Sequence, residues 1–227
     1  MCHSEETSNS QLVNISVVSH LVARTGVCGR YRRRYTRTAG NDSNAGTTKN
    51  TAVATLEKAV EIAPDGATIY VLSDLTMTEC ARFYNKNLTI TSGDGGSYTV
   101  TRGDGFEAQS DTARSWYNPA MIEVQGNQEG AECGLTLKNI ILDDTGEYEG
   151  TVFAQAISGK SEENKDNLVY VQDAMIASNA TVSCTITLGE GAVLRNFGGM
   201  SAVRVTDQAK LVMKSGSVIE DTLSGYT

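Results

Sequence analysis

The chain has 227 residues, a net charge of −8, 40% hydrophobic residues and 6% aromatics. That is enough apolar material for one large domain or two small ones with an aliphatic core, and no run of eighteen apolar residues marks a membrane span. Charge is uneven, with seven Lys/Arg against three Asp/Glu in residues 1–50 and 12 against 24 in the rest, so the body repels phosphate backbones and is excluded as a nucleic-acid surface.

Residues 1–50 read as a poorly ordered basic leader and linker. Leu12 to Ala23 is apolar but broken by Asn14, Ser16, Ser19 and His20. The basic cluster Arg30 to Arg37 follows that stretch, whereas a secretory signal puts its charge first. Ala39 to Thr48 is small and polar, so the folded body, residues 51–227, is expected to begin near residue 50.

Thr51–Ala63 is the one expected helix. Val53, Leu56, Ala59, Val60 and Ala63 recur at helical spacing, and Pro64-Asp-Gly66 stops the pattern. Strands follow at Thr68–Leu72 and Leu75–Thr78. From residue 87 short strands come regularly, at 87–91, 98–101, 121–125, 135–142, 152–157, 168–171, 175–176, 181–188, 192–194, 202–205, 211–213 and 218–219. Gly, Asn and Asp clusters separate them. Arg102–Pro119 and Ser158–Asn167 exceed an ordinary bend and read as loops thrown out from the strands.

The strand phrases repeat. With Leu137, Leu188 and Met213 set equivalent, the first step along the chain is twice the second, to within a residue. A period in the twenties, with no room for a helix, predicts a solenoid of parallel strands in which Leu137 and Leu188 lie two coils apart. A short amphipathic helix ahead of such a stack would cover its first open coil. Cys80, Cys133 and Cys184 follow the same long spacing. Two coil spacings amount to roughly 9–10 Å, beyond disulfide reach, so buried reduced thiols are expected. No C-x-x-C pair suggests zinc, and no cofactor is expected.

Few residues suggest chemistry. Trp116 and Tyr117 are the only loop aromatics in tandem, a carbohydrate-stacking platform or, for Trp116, a pin for its own loop. Asp143 and Asp144 end a strand as a solvated turn, as a carboxylate pair for acid/base work, or with Asp94 and Asp104 as calcium ligands.

Thr55 to Val71, with its helix, Gly turn and strand, resembles the opening of pectin-lyase-like right-handed parallel β-helices. Asn87-Leu-Thr-Ile90, Leu135-Thr-Leu-Lys-Asn-Ile140 and Leu211 to Ile219 resemble the coil phrases of that superfamily. They are closest to adhesin-like surface proteins of Gram-positive gut bacteria, and the likeness covers about residues 51–222. It implies an all-β fold, a right-handed parallel β-helix with an N-terminal capping α-helix. It also implies a non-catalytic segment of a bacterial surface protein, a stalk or an adhesion module, at an extracellular or cell-surface location. The implied partner is an extracellular glycan or a host surface, met by a monomer or by part of a longer chain.

The alternative is a polysaccharide lyase or glycoside hydrolase with catalytic coils partly beyond residue 227, since the chain reads as truncated at its C-terminus. The sequence departs from those enzymes. Its only histidines, His3 and His20, precede the expected body, and no Arg-x-Lys follows the aspartates.

Overall fold

The computed structural model describes residues 32–107, 109–111, 116–118, 120–126, 128–130, 132–145, 174–180, 183–197, 201–205 and 209–221. These form an all-β chain with one short α-helix. A first strand, β1 (Arg33–Thr36), precedes a 3-10 turn and α1 (Leu56–Ile62). Four strands follow, β2 (Ala67–Val71), β3 (Leu75–Glu79), β4 (Ala81–Tyr84) and β5 (Asn87–Ser92). The next are β6 (Tyr98–Glu107), a ribbon of β7 (Gln109–Asp111) and β8 (Trp116–Asn118), then β9 (Ile122–Gly126) and β10 (Cys133–Lys138). The chain continues through β11 (Ile140–Asp143), β12 (Ala174–Ala180), β13 (Cys184–Leu188) and β14 (Ala192–Arg195). It ends in β15 (Ser201–Val205), β16 (Ala209–Met213) and β17 (Val218–Ile219).

The strands sort into three open sheets. Sheet A runs β1-β2-β5-β10-β13-β16, sheet B β17-β14-β11-β6-β3, and sheet C β15-β12-β9-β4. Every pairing within them is parallel, and only the β7–β8 ribbon is antiparallel. Apart from the β7–β8 ribbon, the described strands from β2 onward fall in A, B and C in turn and return to A, so successive ones lie in different sheets.

Alternation of side chains explains the core. On a strand, residues two apart share a face. In β2, Ala67, Ile69 and Val71 are buried while Thr68 and Tyr70 are half-buried. Register then stacks like on like. Ile69, Ile90, Leu137 and Leu188 form one inner row of sheet A, continued by Met213 on the edge strand where it is 49% exposed, and Ala67, Leu88, Leu135, Ile186 and Leu211 form another. Leu75, Val100, Leu142, Leu194 and Ile219 do the same in sheet B, and Ala81, Ile122, Ile176 and Val203 in sheet C. Most of these side chains belong to one hydrophobic cluster. Burying each such aliphatic side chain stabilises the fold by about 1.5–3 kcal/mol.

Three expectations need correction. The equivalence of Leu137, Leu188 and Met213 holds, but Leu137 and Leu188 are direct partners on neighbouring strands of sheet A, with no strand between them. The surplus length lies between β11 and β12, where the long segment 144–173 connects Asp143 to Ala174. Cys133 therefore faces Cys184 across adjacent strands, and Cys80 sits apart at the corner between β3 and β4.

The helix is also shorter than expected. The Asp42 carboxylate accepts from the N–H groups of Ala54 and Thr55 at 2.7 and 3.0 Å, which holds that stretch extended. Thr55 then caps α1, its hydroxyl accepting from Lys58 N–H at 3.2 Å. Leu56, Ala59 and Val60 are buried, and α1 lies against β2, β3 and β4.

Third, the folded body reaches well before residue 50. β1 pairs with β2, Val53 bridges to Thr36, and Arg34 Nε donates to Ile62 O at 3.3 Å. Part of the basic cluster is thus structural. Residues 1–31, the strands expected at 152–157 and 168–171, and the loop 158–167 lie outside the described residues. Arg102 and Gly103 continue β6 instead of opening a loop.

Candidate functional site

Both long insertions leave the chain at the same place, the passage from sheet B to sheet C. Buried charge gathers there. Arg102 and Asp144 continue the inner parity of Val100 and Leu142, are 2% and 0% exposed, and form an ion pair. The Arg102 guanidinium also lies 4.6 Å from the centroid of the Phe106 ring, a cation–π contact.

Asp143, one residue earlier, takes the opposite face. It accepts from Arg195 Nε at 2.7 Å, Asn196 Nδ2 at 2.9 Å and Thr145 N–H at 2.9 Å. Burial alone would raise its pKa. The donors from Asn196, Thr145 and Arg195 outweigh burial and hold the carboxyl below the ordinary carboxylate range.

The calcium reading of Asp143 and Asp144 is not supported by this geometry. The two side chains diverge, and each is met by an arginine. Asp94 sits in the turn before β6, at the other end of sheet B, and pairs with Lys49. Among the described residues no three metal-type ligands cluster.

The outer face of sheet C carries a charged row that the sequence does not announce. Register sets Arg82 beside Glu123, and Ala177 between Glu123 and Arg204. Glu123 is 1% exposed, although its parity is opposite to buried Ile122 and Val124. Its carboxylate accepts from Arg82 Nε at 2.5 Å and from Gln125 Nε2 at 2.7 Å. Burial would lower the Arg82 pKa, but the facing Glu123 carboxylate outweighs it and raises it. Burial lowers that of Arg204, against the pull of Glu123. At the same corner burial, reinforced by Glu123, pushes the Cys80 thiol up to about 12, so it is no nucleophile near neutral pH. Glu123, Asp143 and Asp144 are all engaged by arginines, which suits structure better than proton transfer.

Sheet A presents a different outer face. Thr68, Thr89, Thr136 and Thr187 form one row across four strands, and Asn87, Gly134, Thr185 and Lys210 form the next. A groove of about 310 Å³ opens here, walled by Asn87, Thr89, Thr136, Thr185 and Thr187, with Gly134 as its floor. A Cβ at Gly134 would stand 2.8 Å from Thr185 O and 3.1 Å from Asn87 Oδ1, so only glycine leaves the floor open. The hydroxyls of Thr89, Thr136, Thr185 and Thr187 have no protein partner among the described residues. On the same face Tyr35 stacks on Tyr70, with ring centroids 5.3 Å apart and planes at 20°.

Trp116 and Tyr117 lie elsewhere, in β8, where Trp116 is paired with Asp111 and Tyr117 with Ser110. The aromatics expected to mark a binding loop thus form a ribbon between sheets B and C, not part of the sheet A face. What sequence could have offered is the period-two threonine pattern of Thr89-Ile-Thr91 and Thr185-Ile-Thr187. No protein family, no characterised protein and no solved structure matches the chain.

Proposed function

We propose that the three sheets are the faces of a right-handed parallel β-helix with α1 as its N-terminal cap, and that it serves as a non-catalytic, glycan-binding segment of a bacterial surface protein. The cyclic visiting order of the sheets supports the helix, and right-handedness follows from the strong preference of parallel crossovers for that hand. The resemblance to adhesin-like surface proteins supports the setting.

The observation that carries the binding role is the groove over Gly134, with its row of hydroxyls that no described protein group uses. Strands spaced by about 4.8 Å set those hydroxyls at even intervals across the sheet. Hydroxyls donate and accept at once, as sugar hydroxyls do, so such a row suits a polyhydroxylated chain laid across the strands. Tyr70, one row over from Thr68, adds an apolar ring edge for a sugar face. The arginine-bound carboxylates argue against the lyase or hydrolase alternative.

Titration of a panel of neutral and acidic oligosaccharides against the folded chain tests this. Binding is expected, and Thr136→Val with Thr187→Val should weaken it roughly tenfold or more, at about 1 kcal/mol per lost hydrogen bond. Thr101→Val, on the outer face of sheet B, should change nothing. Silence across the panel would overturn the binding role. New double-bond absorbance from a uronate polymer with calcium would establish the lyase instead.

A further inference from the structure

Cys133 and Cys184 are the first residues of β10 and β13 and are register partners across sheet A. Parallel neighbours lie about 4.8 Å apart, inside the roughly 4.4–6.8 Å window that disulfides require between Cα atoms. Both side chains are buried, at 2% and 0% exposure, on the inner face with Leu135 and Ile186. Cys133 Sγ donates to Ser183 O at 4.0 Å, so the thiol sits at the start of the neighbouring strand. Cβ atoms of in-register parallel residues stand slightly wider than a disulfide prefers. Here the pair sits where the ladder begins, with Cys133 N–H donating to Ser183 O at 3.2 Å.

We propose that Cys133 and Cys184 form an oxidisable pair that closes to a disulfide between β10 and β13 when the chain folds in the presence of a low-molecular-weight disulfide. One thiolate attacks the small disulfide and releases one small thiol, giving a mixed disulfide on the protein. The second cysteine then displaces the other small thiol and forms the Cys133–Cys184 bond. The protein thiols lose two protons and two electrons, and the small disulfide is reduced to two thiols. The bond brackets the whole connection between β11 and β12, and ties its base across one coil step. It rests on register alone and is independent of the glycan reading.

The chemistry also sets the timing. Burial, with Cys184 as its register neighbour, pushes the Cys133 thiol up to about 12. At neutral pH the native Cys133 thiol is therefore slow to exchange, and closure belongs to the folding chain, before both cysteines are buried.

The test refolds the full chain in a buffer of oxidised and reduced glutathione, quenches with an alkylating agent, and maps the peptides by mass. The expected product is a linked peptide containing Cys133 and Cys184, with a higher melting temperature than the fully reduced protein. Cys133→Ser should abolish both the link and the gain. A folded protein in which both cysteines remain alkylatable after denaturation would overturn the proposal. So would a link that lowers the melting temperature, or a gain that persists in Cys133→Ser.

Discussion

A carboxylate with no exposed surface is costly unless a cation meets it, and Asp144 is met by Arg102. Asp144→Asn would keep the volume and strand the guanidinium among apolar neighbours. It is expected to cost about 3–5 kcal/mol in denaturant unfolding, and a loss under about 1 kcal/mol would show the pair to be dispensable. Asp143 differs because its face is wetter and its donors hold its pKa below the ordinary value. A depressed folded pKa contributes stability that is complete above the unfolded pKa and disappears as pH falls through the folded one. Asp143→Asn should therefore flatten the acid limb of the stability curve, and an unchanged limb would sink that assignment. The sequence shows two adjacent acids ending a strand. It does not show that strand parity sends them to opposite faces, or that Arg102, from the previous sheet B strand, waits for one of them.

Two elements carry the architecture. The apolar spacing of Val53, Leu56, Ala59 and Val60 is legible as a helix, but its start is not. Asp42, from the stretch that reads as linker, fixes residues 54 and 55 in extended geometry. β4 is hard to read because, although Phe83 and Tyr84 favour strands, the four-residue run carries Arg82, whose partner, Glu123, comes from a distant strand. Leu56 is 1% exposed within the core cluster, so Leu56→Asp should cost on the order of 3 kcal/mol or more by burying an unpaired charge. An unchanged melting temperature would show that α1 does not seal the core. The bend from β10 to β11 is a single residue, Asn139, at φ 42°. Its amide donates to Gly96 O at 2.7 Å and its backbone N–H to Glu190 O at 2.9 Å, so it also ties neighbouring bends together. Asn139→Ala should cost about 1–2 kcal/mol from left-handed strain alone, and more with the lost hydrogen bond. Asn139→Gly should recover most of the strain, and equal losses for both would mean that the backbone angle does not matter.

At the scale of the molecule, Ala67, Leu88, Leu135, Ile186 and Leu211 hold equivalent places on successive sheet A strands. The chain between them is uneven, since the steps from Leu88 to Leu135 and from Leu135 to Ile186 are each roughly double the first and the last. The equivalence of these strands is legible in the sequence because inner rows repeat aliphatic side chains. The number of strands between them is not, because a doubled step fits an intervening strand as well as a long connection. Parallel register makes these strands direct neighbours, and both long steps take their surplus where sheet B passes to sheet C. The same passage between β14 and β15 needs only positions 196–200. Deleting residues 146–170 leaves Asp144, Thr145, Val171, Gln172 and Asp173 to join β11 to β12, a connection of equal length. Loop length changes closure entropy only slowly, so the shortened chain should keep its β-sheet circular dichroism and unfold in a single transition. Its stability should lie within about 1 kcal/mol of the parent. If residues 146–170 supplied strands that the three sheets need, the deletion would sever their inner rows and abolish cooperative unfolding.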